Sequence, residues 1–285
     1  MTDTYTPGEI IWCSGCGHFG VESALKQSLK NHSLEPHETM VLAGIGCSGT
    51  IQNYIGSYGY HSLHGRVLPT ATGVAAANPA LTVIAAGGDG DGYAIGCGHL
   101  MHTFRRNPSI FYIVMNNGTY GLTKGQPSPT AVSRADHEHE LDALLMGLTI
   151  SGSSWLARGY VGHMEQLVEL MDAGLKHVRE KRGFAFLEVI SPCTTFNDNY
   201  PSWREILVNL DADESYDKGN RATAIGHYAE LIASGKTPSG LIYEGNASTF
   251  EDATGVTADN PAALQNLTVS KHIGKFQEYM DAYTM

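Results

Sequence analysis

No stretch of the 285-residue chain approaches the ~18 consecutive apolar residues of a helical membrane span, so no membrane association is expected. Basic residues are in the minority, 18 Lys and Arg against 29 Asp and Glu, for a formal net charge of -11. Without a basic surface, broad binding to nucleic acid or to anionic lipid is not expected either. The opening residues, Met1 to Glu9, show neither a basic n-region nor an apolar h-region; the expected location is the cytoplasm. Low-complexity segments and internal repeats are lacking. Cysteines are few, at positions 13, 16, 47, 97 and 193. Five is an odd number, and with no secretion signal a disulfide framework is a poor reading; metal or redox use is a better one.

What the chain has in quantity is glycine. It holds 33, where ordinary usage of ~7% would give about 20. They concentrate in the first 125 residues, in runs such as Gly44-Ile-Gly-Cys-Ser-Gly49 and Gly87-Gly-Asp-Gly-Asp-Gly92, which suggests close backbone approach to a ligand.

Between the glycines, short apolar runs alternate with amphipathic stretches. Met40 to Gly44, Leu81 to Ala86, Ser109 to Met115, Trp155 to Ala157 and Phe184 to Ile190 read as buried strands. Val21, Leu25 and Leu29 recur at helical spacing, Pro69 to Ala77 is a small-residue helix, Ile95 to Phe104 is another, and His163 to Arg179 is a long one. Continuous apolar strands separated by helices predict an α/β fold: a parallel sheet with helices on both faces. Ligands in such sheets sit beyond the carboxyl ends of the strands, which is where Cys47, Asp89, Asn117 and Cys193 fall. From about Trp203 the pattern loosens. The expected organisation is one domain over 1–202 and a C-terminal extension over 203–285, with helices at Ala222–Ile232 and Val269–Tyr283, packed on the domain or on a partner.

Gly88-Asp89-Gly90 follows a strand and opens a helix; after 25 residues Asn116-Asn117 ends the next strand. Mg²⁺ prefers hard oxygen ligands and shares them with phosphates. The Asp89 carboxylate, the Asn117 amide oxygen and the Thr119 carbonyl would supply three, while glycine N–H groups and a helix N-terminus face a diphosphate. An ordinary glycine turn with an Asx cap is the alternative. Cys13-x2-Cys16 is a chelating pair, and Cys47 and Cys193 come from distant strand ends. Four thiolates suit a [4Fe–4S] cluster, and a Cys₄ zinc site fits the ligand count equally well. A thioredoxin-like dithiol leaves Cys47 and Cys193 unexplained. Cys97, inside a helix, is read as a small core residue.

The motifs Trp12-Cys-Ser-Gly-Cys-Gly-His18, Gly44-Ile-Gly-Cys-Ser48, His64-Gly-Arg-Val-Leu-Pro69, Gly88-Asp-Gly-Asp-Gly-Tyr-Ala-Ile-Gly96, Asn116-Asn-Gly-Thr-Tyr-Gly-Leu-Thr-Lys-Gly-Gln126 and Ser191-Pro-Cys193 run in order from residue 12 to about 200. Together they resemble the β subunits of 2-oxoacid:ferredoxin oxidoreductases, most of all those acting on 2-oxoglutarate. The resemblance implies a thiamine-diphosphate-binding fold. It implies Mg²⁺ on Asp89, Asn117 and Thr119, and a [4Fe–4S] cluster on Cys13, Cys16, Cys47 and Cys193. The coenzyme would lie against Ile45, Gly46, Cys47, Ser48, His64, Gly88, Asp89, Gly90, Asp91, Asn117, Thr119, Gly121, Leu122 and Thr123. The implied activity is reversible oxidative decarboxylation of a 2-oxoacid to an acyl-CoA and CO₂, with electrons passed through the cluster to ferredoxin and coenzyme A taking the acyl group. Pyruvate or another 2-oxoacid is the alternative substrate, and a non-catalytic metal-binding scaffold the alternative role.

Cys47, His64 and Lys124 are the catalytic candidates. Lys124 matches a position implicated in coenzyme A handling, and Arg66 one near the coenzyme; for Lys124 a solvated loop lysine is the alternative, and for His64 and Arg66 a surface turn. His99 and His102, and the polar run Asp136 to Glu140, read as surface or packing residues. Thiamine enzymes of this kind take a glutamate for the aminopyrimidine ring from a pyrimidine-binding domain. A single α/β domain is legible here, so the resemblance implies an α subunit that completes the site, in an αβ or (αβ)2 assembly. No ferredoxin-type cysteine clusters are present, so the electron acceptor is a separate protein.

Overall fold

The computed structural model describes residues 9–131, 139–266 and 268–284. In chain order the helices are α1 (His18–Asn31), α2 (Val67–Ala77), α3 (Cys97–Arg106), α4 (Ala143–Leu148), α5 (Met164–Arg179), α6 (Tyr200–Ile206), α7 (Arg221–Ala233), α8 (Phe250–Thr254) and α9 (Val269–Ala282). The strands are β1 (Thr39–Ala43), β2 (Tyr58–His61), β3 (Thr82–Gly88), β4 (Phe111–Asn116), the short hairpin β5 (Thr119–Tyr120) and β6 (Gln126–Pro127), then β7 (Trp155–Tyr160), β8 (Ala185–Ile190), β9 (Leu207–Asn209) and β10 (Thr237–Glu244). Among the described residues, no helix is long and apolar enough to cross a membrane.

One eight-stranded sheet runs in the order β2-β1-β3-β4-β8-β7-β10-β9. Every pairing in it is parallel except β10 with β7. Side chains alternate across a strand, and here both faces are apolar. Val41, Ala43, Ile84, Ala86, Phe111, Ile113 and Met115 join Val21, Leu25 and Leu29 of α1 and Leu167, Met171 and Leu175 of α5 in one core cluster. Leu42, Val83, Ala85, Tyr112 and Val114 join Leu68 of α2, Phe104 of α3, Leu144 of α4 and Tyr228 of α7 in the other. That double burial is why these strands read as unbroken apolar runs.

The strands β1, β3, β4 and β8 are consecutive neighbours, all parallel. Their carboxyl ends therefore lie side by side on one rim, and the loops that follow them carry Cys47, Asp89, Asn117 and Cys193. The expected α/β fold is the one observed; apart from the unforeseen edge strand β2, two differences stand out. Trp155 to Ala157 extends to Tyr160, because Arg158 and Gly159 continue the strand while interrupting its apolar run. The region after 203 is not only helical, since β10 hydrogen-bonds to β7 across the sheet. Its α9 projects an apolar stripe, Val269, Ile273, Phe276, Met280 and Tyr283, all of it exposed.

His177 of α5 is buried beside Ser154, whose Oγ lies 3.0 Å from its Nε2. Burial first, then the Arg182 guanidinium, hold its pKa down to about 4. It stays neutral in the folded chain where an unfolded chain would take up a proton below 6.5. Its contribution is complete above pH 6.5 and is lost as pH falls toward 4, about 3 kcal/mol in all. Chemical denaturation across pH should show that decline. His177→Gln should flatten it by the same amount, and an unaltered slope would contradict this assignment.

Candidate active site

The first half of the rim forms around Asp89, which follows β3 and is 1% exposed. Its Oδ2 accepts from the Ser128 hydroxyl, from Thr130 Oγ1 at 2.6 Å and from Gly118 N at 3.2 Å. Burial raises its pKa despite those donors. A carboxylate so desolvated needs a counter-charge to stay ionised, which fits a divalent cation. Asn117 turns its Oδ1 back to Thr119 N at 3.0 Å; its own carbonyl accepts from Asn197 Nδ2 at 2.8 Å.

The segment after Asp89, Gly90–Ile95, is a wide π-type turn, a local irregularity common at functional sites. Asp91 sits in it with its carboxylate buried. Oδ1 accepts from Ile45 N at 2.9 Å, Gly65 N at 2.8 Å and His64 Nδ1 at 2.7 Å, so one oxygen ties the loop after β1 to the loop before α2. With Nδ1 committed to Asp91, Nε2 is the ring nitrogen of His64 left for another partner. A Cβ on Gly44 would collide with Asp91, and one on Gly90 would come within 2.3 Å of the Tyr120 ring. Glycine is required at both.

All the residues expected at the coenzyme, Ile45 to Ser48, His64, Gly88 to Asp91, Asn117, Thr119 and Gly121 to Thr123, line one cavity, together with His18 and Tyr120. Gly46, at φ +113, has almost nothing against its Cα, and a side chain there would fill space. An open glycine-lined cavity with a desolvated carboxylate at its base suits a diphosphate and its metal.

A second cavity of about 320 Å³ adjoins the first and is lined by Cys13, Cys16, Cys47 and Cys193. Ile45, Gly46, Cys47, His18, Asn117, Gly121 and Leu122 line both. Burial raises the Cys16 thiol to about 11, with Cys193, Cys47 and Cys13 adding to the rise; Cys47 is raised by burial and by Cys193 and Cys13. The void is some ten times the ~30 Å³ share of a water molecule. Among the described residues, no three His, Cys, Asp or Glu side chains gather around a point suited to a single metal ion.

Packing fixes both cavities in place. Trp12 Nε1 donates to Cys47 O at 2.7 Å, and its ring meets His18, Phe19 and Tyr54 edge to face. His18 Nδ1 lies 2.7 Å from Ser191 Oγ, and burial lowers its pKa to about 4. Lys124 stands apart from both cavities, exposed on the turn between β5 and β6 at φ +74. Cys97 starts α3, away from the other four. His99 is half-buried and His102 exposed on α3. Of the polar run 136–140, residues 136–138 lie outside the described residues. Arg66 donates to the Ile95 carbonyl at 3.3 Å.

His18, Ser191, Ser128 and Thr130 join the site beyond the expected residues. His18 closes the Trp12–His18 motif, yet nothing in its spacing marks it as more than part of the helix start. Ser128 and Thr130 sit in a loop whose composition gives no signal.

Residues 37–189 match the model of the thiamine pyrophosphate enzyme, C-terminal TPP binding domain, family. The chain is 36% identical to the 2-oxoacid:ferredoxin oxidoreductase 2 subunit beta of Aeropyrum pernix over 85% of its length and 82% of that protein. It is 35% identical to the 2-oxoacid:ferredoxin oxidoreductase subunit beta of Saccharolobus solfataricus, over 90% and 88%, and 32% identical to the 2-oxoglutarate synthase subunit KorB of Methanocaldococcus jannaschii, over 78% and 87%. Among solved structures it is similar to a chain of the 2-oxoglutarate:ferredoxin oxidoreductase from Magnetococcus marinus with 2-oxoglutarate, coenzyme A and succinyl-CoA bound. The TM-score is 0.85 at 32% identity, covering 96% of each chain.

Proposed function

The chain belongs to the β subunits of the 2-oxoacid:ferredoxin oxidoreductases, enzymes that work with partner subunits, and from that membership we propose the particular reaction it serves. It is the CoA-dependent oxidative decarboxylation of a 2-oxoacid, 2-oxoglutarate by preference, to the acyl-CoA and CO₂, with ferredoxin as acceptor and reversible in principle. The relatives acting on 2-oxoglutarate support the substrate. The observation that carries the reading is the shared wall: Cys47 and its neighbours face a glycine-lined cavity on one side and three further cysteines on the other.

Thiamine diphosphate, when bound, supplies the carbon centre at which a 2-oxoacid loses CO₂ and is oxidised. Asp89, Asn117 and Thr119 hold its Mg²⁺; the glycines at 88 and 90 and the 44–48 loop receive the diphosphate. His64, oriented by Asp91, turns its ring to the cavity. Cys13, Cys16, Cys47 and Cys193 would hold a [4Fe–4S] cluster, which would supply one-electron redox chemistry beside the coenzyme cavity. Residues 1–202 form this binding domain, and 203–285 the extension that closes the far edge of its sheet. For Lys124, exposed on the turn between β5 and β6, the family membership supports a contact with coenzyme A.

Two large apolar side chains that line the cavities stand exposed, Ile11 at 76% and Leu122 at 63%. Exposed apolar surface of this kind is common at protein interfaces, and supports an α subunit seated there. Anaerobic purification with that subunit should give a brown protein with about four irons and one thiamine diphosphate per chain. The chain alone should show no turnover; activity without a partner, or a colourless zinc protein, would refute this reading.

A further inference from the structure

We propose that Glu188 is a positioning residue for the coenzyme site, a buried carboxylate that clamps the turn after Asp89 to the strand end that carries Asn117. The inference rests on the reading of that rim as a thiamine diphosphate and Mg²⁺ site.

Glu188 lies in the middle of β8, between apolar strands, and is 2% exposed. Directly across the ladder stands Arg158 of β7, whose Nε donates to Glu188 Oε2 at 2.6 Å. Packing alone gives no reason for a charge here. A buried ion pair replaced by apolar residues of similar volume often leaves stability unchanged or improved, and every other position on this face of β8 is apolar. The pair is held in one orientation. Arg158 Nη1 donates to Pro238 O at 3.2 Å, and its Nη2 lies 3.7 Å from Asp142 Oδ2. Asp142 in turn is fixed by the Tyr228 hydroxyl at 2.6 Å.

That anchoring leaves Oε1 of Glu188 for two donors. One is Tyr93 Oη at 2.9 Å, from the π-type turn that begins at Gly90; the other is Asn116 Nδ2 at 3.1 Å, from the end of β4. A single oxygen thus gathers both halves of the bipartite motif from below. The bonding continues upward. Asn116 Oδ1 lies 2.8 Å from Thr130 Oγ1, which reaches Asp89 Oδ2 at 2.6 Å. Moving Glu188 would let the turn and the strand end shift separately, and with them the spacing of Asp89 from Asn117. Magnesium tolerates little departure from octahedral geometry, so affinity for the metal-bound coenzyme should respond before the fold does.

The test uses the full chain in complex with its partner subunit, and follows thiamine diphosphate binding in the presence of Mg²⁺ by calorimetry. Glu188→Gln should weaken the apparent Kd roughly tenfold or more, the scale of outer-shell ligand changes. kcat at saturating coenzyme should fall far less than the affinity, and iron content should stay at the wild-type level. Arg158→Met with Glu188→Met, which removes both charges together, should recover the wild-type melting temperature without recovering the affinity. Wild-type affinity in that double variant would make the pair merely structural and overturn the proposal. Should Glu188→Gln not fold, Tyr93→Phe removes one clamp and no volume, and should weaken binding about threefold; unchanged binding there overturns it as well. A wild-type complex that binds no thiamine diphosphate rejects the site itself. A binding wild type with an equally binding Glu188→Gln rejects only the clamp.

Discussion

Replacing Cys193 by serine is expected to strip iron from the complex and cut ferredoxin reduction by roughly a hundredfold or more, while leaving the chain folded. Iron–sulfur clusters are held by four thiolates, and Cys193 is the proposed ligand that follows β8, farthest in sequence from the Cys13–Cys16 pair. Its side chain is half-buried after the strand, not in the core, so the substitution would remove that ligand without opening a packed cavity. The matched control is Cys97→Ser at the start of α3, outside the cysteine cavity. Visible absorption, iron analysis and electron paramagnetic resonance of the dithionite-reduced complex read the result. The Cys193 variant should lose the broad absorption and the signal together, and the Cys97 variant should keep both. Full iron content in the Cys193 variant would break the assignment of the four ligands.

Asp89→Asn is expected to abolish thiamine diphosphate binding at accessible Mg²⁺ concentrations, a loss above the ~10–100-fold of outer-shell changes. The substitution keeps shape and removes the charge. Asp89 is buried with its pKa raised by desolvation that its hydrogen-bond donors do not fully offset, so in the free protein its ionised form is a burden that a cation would relieve. The amide put in place of the carboxylate would keep an acceptor for Ser128 and Thr130, and the uncomplexed variant should melt no lower than wild type. The difference appears on adding ligand. Coenzyme and Mg²⁺ at about 100 times Kd should stabilise the wild type by about 2.7 kcal/mol and the variant not at all. Equal stabilisation of the two would remove Asp89 from the metal.

Most of the sheet is legible because its interior strands are buried on both faces, so that Leu81 to Ala86 and Phe184 to Ile190 stand out as apolar runs. The same rule explains what stays hidden. Strand β2, Tyr58 to His61, is an exposed edge with no apolar run, and β10 opens with Thr-Pro-Ser-Gly. The rim residues with unusual chemistry, Asp89, Asn117 and the CxxC pair, can be read since glycine, cysteine and acid at fixed spacing are rare by chance. Glu188 and Arg158 hide inside strands whose apolar neighbours carry the pattern. A single charge within such a run is itself a signal: burying it needs a partner, and each is the other's. Thr130 and Ser128 have no such mark, because hydroxyls in loops are ordinary. Asp91, expected at the coenzyme, turns its carboxylate inward to fasten Ile45, His64 and Gly65.

The loop from Ile45 to Cys47 is one partition between two chambers, with Trp12 bolting its Cys47 carbonyl in place. On the proposed assignment, oxygen damage on one side would slacken the wall of the other, and each molecule would lose both prosthetic groups in a single event. Partially aerated preparations would then be mixtures of intact and dead enzyme: specific activity would drop with time while the Michaelis constants stayed where they began.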